Sequence, residues 1–274
     1  MRPSFDFFPI FALLADFLCI LRPRPNSHFM DKRINLWSSP RNISTALMYS
    51  FAQRADTAVV DEPLYAHYLL RQPTEADHPG RADILDSQNG NGREVVEHML
   101  NNDYGKAAVV FKQMTHHLVE LDPGFLNRMD NVLLIRDPRA ILNSFSKVVK
   151  DITAEDIGIP QQYRLFRQLK KSGNLTAVVD ARLLLMAPEN VLAQLCEQLN
   201  IPFTNRMLSW KSGARPEDGS WAEHWYGNVH KSTGFKPWQE KAYDLSPALS
   251  VIADDCRLAY EEMLGDALRP LIAS

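Results

Sequence analysis

Residues suited to binding an anion are concentrated between Ser39 and Thr45, directly after an apolar run. Residues 34–46 read INLWSSPRNISTA, in which a strand-like run passes through Ser-Ser-Pro-Arg-Asn into a helical pattern. The pattern predicts a strand, a tight turn and the start of a helix. The first N–H groups of a helix lack partners within it, and its dipole favours negative charge there. The segment therefore predicts an anion-binding loop.

This loop differs from an ordinary nucleotide-phosphate loop. The pattern G-x-x-x-x-G-K-[ST] is absent, and Arg41 stands where a lysine is expected, followed by Ser44 and Thr45. We therefore expect an anionic ligand other than ATP or GTP bound with magnesium.

A second constellation lies in residues 132–148, which read VLLIRDPRAILNSFSKV. An apolar strand delivers Arg136 at its carboxyl end, and Asp137-Pro138 then begins a helix, where proline is favoured in the first turn. Ser144 follows two turns into that helix. Arg136 and Ser144 are suited to grip one phosphate, the arginine by its fork and the serine by its hydroxyl. The alternative is a structural helix cap with a solvated serine.

The elements that must position these residues alternate along the chain. Apolar runs such as VLLI and AVV are typical of strands buried on both faces. The predicted strands are Ile34–Ser38, Ala58–Val60, Ala107–Phe111, Asn131–Ile135 and Leu175–Val179. The predicted helices are Ile43–Arg54, Arg93–Asn101, Pro138–Val149, Tyr163–Lys171, Glu189–Leu199 and Pro247–Leu264. This alternation predicts an α/β fold with a doubly wound parallel sheet, in which ligands bind at the carboxyl ends of the strands.

One later segment, Met207–Trp238, has a different composition, with four tryptophans and several glycines. We call it the wrapping segment, because its aromatic residues predict an ordered loop that packs over the site. Its tryptophans and Tyr226 are candidates for shaping an acceptor pocket, since such rings stack on a sugar or an aromatic ring.

Composition excludes several classes of function. The 274 residues carry a net charge of −3, which argues against a nucleic-acid-coating surface and requires anion binding by a local cluster of Arg and Lys. The cysteines Cys19, Cys196 and Cys256 are far apart and form neither metal-ligand spacing nor a disulfide framework. We expect no metal site, and reduced thiols in a cytoplasmic compartment.

The first 29 residues are atypical. Phe7–Leu21 is apolar but shorter than the roughly 20 residues that a membrane span needs, and Asp16 interrupts it. We expect residues 1–29 to be an extension outside the domain, with translation starting at Met30, and residues 30–274 to form a single α/β domain. A weak membrane anchor is the alternative reading of the extension.

The chain resembles the sulfotransferase superfamily over most of residues 33–264. Three blocks carry the resemblance: WSSPRNISTAL at residues 37–47, LIRDPRAILNS at 134–144, and residues 178–203, from VVDARLLL through VLAQLCEQLNIPF. The resemblance implies a P-loop NTPase-like three-layer sandwich that uses 3′-phosphoadenosine 5′-phosphosulfate (PAPS) as sulfuryl donor without a metal. The acceptor it implies is a small or carbohydrate-like molecule with a hydroxyl group.

The resemblance also implies roles for individual residues. The first block matches the 5′-phosphosulfate loop, with Arg41 at its basic position. The second matches the 3′-phosphate motif, and residues 231–238, KSTGFKPW, stand where the family has a late basic loop. The donor-binding residues implied are Ser39, Pro40, Arg41, Asn42, Ser44, Thr45, Arg136, Ser144 and Lys231.

Within the superfamily, the string VVDEPLY at residues 59–65 resembles the Glu-Pro-Leu turn of carbohydrate sulfotransferases. Residues 38–69 as a whole resemble a little-studied branch. That branch includes bacterial proteins and the sulfotransferase-like domain of plant proteins named as aminotransferase-like.

Sulfuryl transfer resembles phosphoryl transfer, so positioning and electrostatics do most of the catalysis. Arg41 is suited to hold the leaving and bridging oxygens. Glu62 is the first candidate for the base that deprotonates the acceptor; the alternative role for Glu62 is that of a structural carboxylate. His116 and His117 are the runner-up bases, because an imidazole suits this work. Lys112 is a candidate donor to the leaving phosphate, or a solvated lysine.

Two other functions remain open from the sequence. One is a P-loop kinase for a small molecule, with Asp61 as a metal-binding carboxylate. The other is a non-catalytic nucleotide-binding domain of the same fold, for which the atypical Arg41 loop is the support.

Overall fold

Five parallel strands form the sheet in the computed structural model, which describes residues 32–71 and 78–270. The strands are β1 (Lys32–Ser38), β2 (Thr57–Asp61), β3 (Ala108–Met114), β4 (Asp130–Ile135) and β5 (Leu175–Asp180). Their order across the sheet is β2-β3-β1-β4-β5. The predicted α/β class with a parallel sheet is confirmed, and each predicted strand has its counterpart.

Helices cover both faces of this sheet. They are α1 (Ser44–Ala52), α2 (Tyr65–Arg71), α3 (Arg81–Ser87), α4 (Gly92–Asn101), α5 (Pro138–Phe145), α6 (Ile159–Ser172), α7 (Ala181–Met186), α8 (Pro188–Gln198), α9 (Ala222–Trp225) and α10 (Pro247–Gly265). The sequence analysis missed α2, α3, α7 and α9, because four to seven residues are too few for a helical period to stand out. The predicted helix Pro138–Val149 ends earlier, at Phe145.

Two apolar cores make the fold a three-layer sandwich. On one face, side chains of α4, α5, α6 and α10 pack against Phe111 and Leu133 of the sheet. On the other face, side chains of α1 and α8 pack against Val110 and Val132. Adjacent strand residues thus enter opposite cores, which is why these strands are continuously apolar rather than alternating.

The strand order decides which loops meet. β1 lies between β3 and β4, with Ser38 opposite Met114 on one side and Leu134 on the other. The loop after β1 therefore lies beside the segments that follow both neighbours. On the outer pair, Asp61 of β2 is directly opposite Lys112 of β3.

Among the helices in residues 32–71 and 78–270, none is long and apolar enough to cross a membrane. The predicted extension of residues 1–29 lies outside the described residues, so its separation from the domain stays a prediction.

Candidate functional site

A cavity of about 1290 Å³ opens at the carboxyl edge of the sheet. Its walls come from the segments after β1, β2, β3 and β4 and from the wrapping segment, as the strand order requires. Of the residues singled out in the sequence, the lining includes Pro40, Arg41, Asn42, Ser44, Thr45, Glu62, Lys112, His116, His117, Arg136 and Ser144.

The loop after β1 leads into helix α1, whose first turn has no side-chain cap within the described residues. That turn also holds no acidic residue, while Ser44, Thr45 and Ala46 line the cavity. Asn42 stabilises the loop internally: its amide donates to the carbonyl of Leu134 at 2.9 Å, and its oxygen accepts from the N–H of Ile43 at 2.9 Å. The backbone of α1 thus offers N–H donors to an anion, whereas the Asn42 side chain holds the loop in place.

Arg41 connects this loop to the second motif. Its backbone has a φ of 54°, an uncommon value for a side chain other than glycine. Its Nε donates to the hydroxyl of Ser144 at 3.1 Å, and its carbonyl accepts from the guanidinium of Arg136 at 2.6 Å. Burial lowers the pKa of both guanidinium groups, yet arginine remains charged in proteins. Two cations therefore lie together at one end of the cavity.

The start of α5 contains the helix cap that the second motif predicts. Asp137 accepts from the N–H of Arg139 at 2.8 Å and Pro138 occupies the first turn, so the Asp-Pro pair caps the helix. Ser144 is not merely solvated, because it lines the cavity and accepts from Arg41. Different residues of one motif thus cap the helix and line the cavity.

A second charged cluster surrounds Glu62, one residue beyond β2. The ammonium of Lys112 is fully buried and lies 2.8 Å from the Asp61 carboxylate and 2.8 Å from the Tyr226 hydroxyl, and it also donates to Glu62. These three acceptors match the three N–H groups of the ammonium. Burial acts to lower the pKa of Lys112, but the two carboxylates outweigh it and keep that pKa well above the ordinary value.

Glu62 itself is held in a strained turn. Its φ is 38°, and its carbonyl accepts from the side-chain amide of Gln88 at 3.1 Å, while the oxygen of that amide accepts from the N–H of Ala66. Burial raises the pKa of Glu62 to about 7; Lys112 opposes the rise and Asp61 reinforces it. The carboxyl group that lines the cavity therefore titrates near neutral pH.

The two adjacent histidines pack within an aromatic wall beside Glu62. The ring of His117 stacks on Tyr65 at 4.7 Å and lies 4.8 Å from Tyr68, whose ring is 5.0 Å from His116. Burial lowers the pKa of His116 to about 4 and that of His117 well below its ordinary value. Both imidazoles are neutral at pH 7, so the 3.8 Å contact between His117 and Glu62 is not an ion pair.

Two residues implied by the resemblance lie away from the cavity lining. Ser39 is fully buried and is not among the lining residues, whereas the adjacent Pro40 lines the cavity. Lys231 is exposed, because the adjacent Ser232 points inward and bonds to the indole N–H of Trp210 at 3.1 Å. The late basic side chains that do line the cavity are Lys236 and Lys241.

Sequence reasoning gave Tyr226 only as a candidate for the acceptor pocket and did not single out Gln88. Tyr226 donates to Asp61 at 2.7 Å and accepts from the indole of Trp221 at 3.1 Å. A buried lysine ammonium needs hydrogen-bond acceptors, but nothing in the sequence indicates which distant side chains supply them.

Comparison with known families decides the wider classification. The family model described as "Sulfotransferase domain" matches residues 32–251, which include the Arg41 loop, the Arg136 motif and Glu62. The chain belongs to the sulfotransferase domain family. The family resemblance and the P-loop-like sulfotransferase fold expected from the sequence are thereby confirmed.

The chain is also similar to two Arabidopsis thaliana proteins. The chain is 43% identical over 206 residues to "Branched-chain-amino-acid aminotransferase-like protein 1", covering 74% of this chain and 36% of that protein. It is 38% identical over 211 residues to "Branched-chain-amino-acid aminotransferase-like protein 2", covering 76% and 37%. The chain thus spans a little over a third of the length of these relatives.

A solved sulfotransferase structure shares the fold. The sulfotransferase domain from the Synechococcus PCC 7002 olefin synthase superposes with a TM-score of 0.52 at 17% identity, covering 81% of this chain and 93% of that one. At this identity the similarity concerns the fold alone.

Proposed function

We propose that this chain transfers a sulfuryl group from PAPS to a hydroxyl of a small or carbohydrate-like acceptor. The observation that carries the proposal is the contact of Arg41 with Ser144 and Arg136 in the cavity that Glu62 also lines. That arrangement combines cationic groups for two anionic ends of a donor with a carboxyl group for the acceptor. Membership of the family supports the transferase class.

The open first turn of α1 fits the 5′-phosphosulfate end of such a donor. Its uncapped N–H groups and Arg41 would stabilise charge on the sulfuryl oxygens and on the leaving phosphate. Arg136 and Ser144 would hold the 3′-phosphate through charge-assisted hydrogen bonds. Lys236 and Lys241, which line the same cavity, replace Lys231 as the late basic residues in this proposal.

Glu62 would act as the general base. As the acceptor oxygen forms its bond to sulfur, the S–O bond to the donor's phosphate breaks, and the acceptor proton passes to the carboxylate of Glu62. A base is most effective when its pKa lies near the working pH, which fits the raised pKa of Glu62, about 7. The neutral imidazoles of His116 and His117, whose pKa values are lowered, are weaker proton acceptors and fit a packing role.

Lys112 fits a positioning role better than that of a donor to the leaving phosphate. Its three N–H groups already have acceptors in Asp61, Glu62 and Tyr226. The same contacts argue against the kinase alternative. One oxygen of Asp61 accepts from Lys112, and the other accepts from Tyr226 and from the N–H of Gly219, so the carboxylate is engaged by protein donors rather than open to magnesium.

Binding and transfer can be tested separately on the purified chain. Adenosine 3′,5′-bisphosphate is expected to raise the melting temperature, whereas Mg-ATP is not. Incubation of the chain with ³⁵S-labelled PAPS and a cell extract is then expected to yield a labelled acceptor. Stabilisation by Mg-ATP alone would replace the proposal with a kinase. Stabilisation by the bisphosphate without any labelled product would support the non-catalytic binding domain instead.

A further inference from the structure

The ammonium of Lys112 donates to two carboxylates, of which Glu62 is one. Asp61 and Glu62 are consecutive residues whose carboxylates both accept from Lys112, and Asp61 is directly opposite Lys112 in the register of β2 and β3. One positive charge is therefore divided between two carboxylates. Their positions are fixed by strand pairing and by the turn after β2.

Asp61 is separated from the cavity, although its neighbour is not. Glu62, Lys112 and Tyr226 line the cavity, whereas Asp61 is not among the lining residues. Its second oxygen accepts from the Tyr226 hydroxyl at 2.7 Å and from the N–H of Gly219 at 3.3 Å. Asp61 is thus fully held by protein donors and can influence an acceptor only through another group.

We propose that Asp61 is a positioning residue that sets the proton affinity of Glu62 by sharing the Lys112 ammonium with it. The negative charge of Asp61 repels a second negative charge on Glu62 and draws part of the ammonium's attraction away from it. Both effects favour the protonated form of Glu62. The inference rests on the proposed function only in taking Glu62 as the base.

The titratable groups that contact Glu62, apart from Asp61 and Lys112, are uncharged. His117, which follows β3, is neutral because burial lowers its pKa. Burial raises the pKa of Tyr65 on α2 and of Tyr226 in the wrapping segment, so both phenols are neutral as well. The charges that face Glu62 among the described residues are therefore those of its strand neighbour and the shared lysine.

The test is a titration of Glu62 that does not require catalysis. The carboxylic-acid C=O band of Glu62, assigned by its loss in Glu62→Gln, is followed against pH by infrared difference spectroscopy. We expect Asp61→Asn to lower the pKa of Glu62 by about one or more, as removal of a close like charge does. Asp130→Asn, which removes a partly exposed carboxylate paired with Lys32 at the amino end of β4, is the matched control and is expected to leave that pKa unchanged.

The outcomes separate this inference from the proposed function. An unchanged pKa of Glu62 in a folded Asp61→Asn protein, with folding checked by circular dichroism, would overturn the inference. A lowered pKa supports it even where no transfer is detected. A lowered pKa of Glu62 without a matching shift in the pH profile of kcat/KM would retain the inference and instead remove Glu62 as the base.

Discussion

The guanidinium of Arg136 donates a hydrogen bond of 2.6 Å to the backbone carbonyl of Arg41, 95 residues earlier in the chain. In addition, the Nε–H of Arg41 donates a hydrogen bond to the hydroxyl of Ser144 on α5. The Arg41 loop and the Arg136 motif thus form one connected unit. Under the proposed function, a change in either motif is expected to affect both ends of the donor.

Replacement of Arg41 by lysine tests the guanidinium itself. Arg41→Lys keeps a positive charge but loses the Nε–H that reaches Ser144 and the planar fork that matches two oxygens. We expect kcat/KM for sulfuryl transfer to fall by about 10²-fold to 10³-fold, as it does when one transition-state donor is removed. Steady-state kinetics with labelled PAPS measures this. Ser144→Ala, which leaves the arginine in place, should lose less, and wild-type kinetics in Arg41→Lys would contradict the assignment.

Arg136 and Arg139 are two arginines near the start of α5 whose replacement by alanine can be compared. Arg136 is partly buried against the Arg41 loop, whereas Arg139 is exposed and paired with Asp254 on α10. We expect Arg136→Ala to weaken binding of adenosine 3′,5′-bisphosphate by about tenfold to 100-fold, the value of a charged hydrogen bond. Arg139→Ala should change the affinity little, because exposed ion pairs contribute little. Isothermal titration calorimetry compares them, and equal losses would point to a general charge effect instead.

Glu62→Gln tests the base. The amide cannot accept a proton, so transfer is expected to fall by about 10²-fold to 10⁴-fold. Binding of the bisphosphate should persist, since the donor-facing residues are unchanged. In the wild-type protein the rate should rise with pH through about 7, because the carboxylate must be ionised to act. Full activity in Glu62→Gln, or a rate that falls as pH rises through 7, is incompatible with this role.

The raised pKa of Glu62 also links folding to pH. The folded chain holds this proton more tightly than the unfolded chain, whose glutamate has its ordinary pKa of 4.5. The resulting stabilisation is fully present below pH 4.5 and is lost as pH rises through about 7. The melting temperature of Glu62→Gln relative to wild type should therefore increase between pH 5 and pH 8. A difference that stays constant over this range would show that Glu62 titrates normally.

Lys112→Met tests the cost of leaving two buried carboxylates without their cation. Loss of one partner of a buried ion pair typically costs about 3–5 kcal/mol in the free energy of unfolding. Urea unfolding at pH 8, where Glu62 is ionised in the wild-type protein, should show a loss of this size. The double variant Lys112→Met with Asp61→Asn should recover part of it, because one uncompensated charge is removed. No recovery would indicate that Lys112 stabilises the fold mainly by packing.

Much of the local structure followed from the sequence because it depends on neighbouring residues. The apolar runs predicted all five strands, and Asp137-Pro138 predicted the start of α5, where a capping carboxylate and a proline are both favoured. The short helices escaped prediction because seven residues or fewer give too little periodicity. Ser232 and Lys231 show a similar limit: which of two adjacent residues faces inward depended on a bond to Trp210.

The sequence by itself determined the strand, turn and helix around Arg41, the Arg136 motif and the family to which they belong. Tertiary structure decided what those residues contact. The order β3-β1-β4 placed Arg41 beside Arg136 and Ser144, and strand register placed Asp61 against Lys112. Burial then raised the pKa of Glu62 to about 7. The physical reason is that local propensities fix elements, whereas proton affinity depends on charges and solvent exclusion contributed by distant parts of the chain.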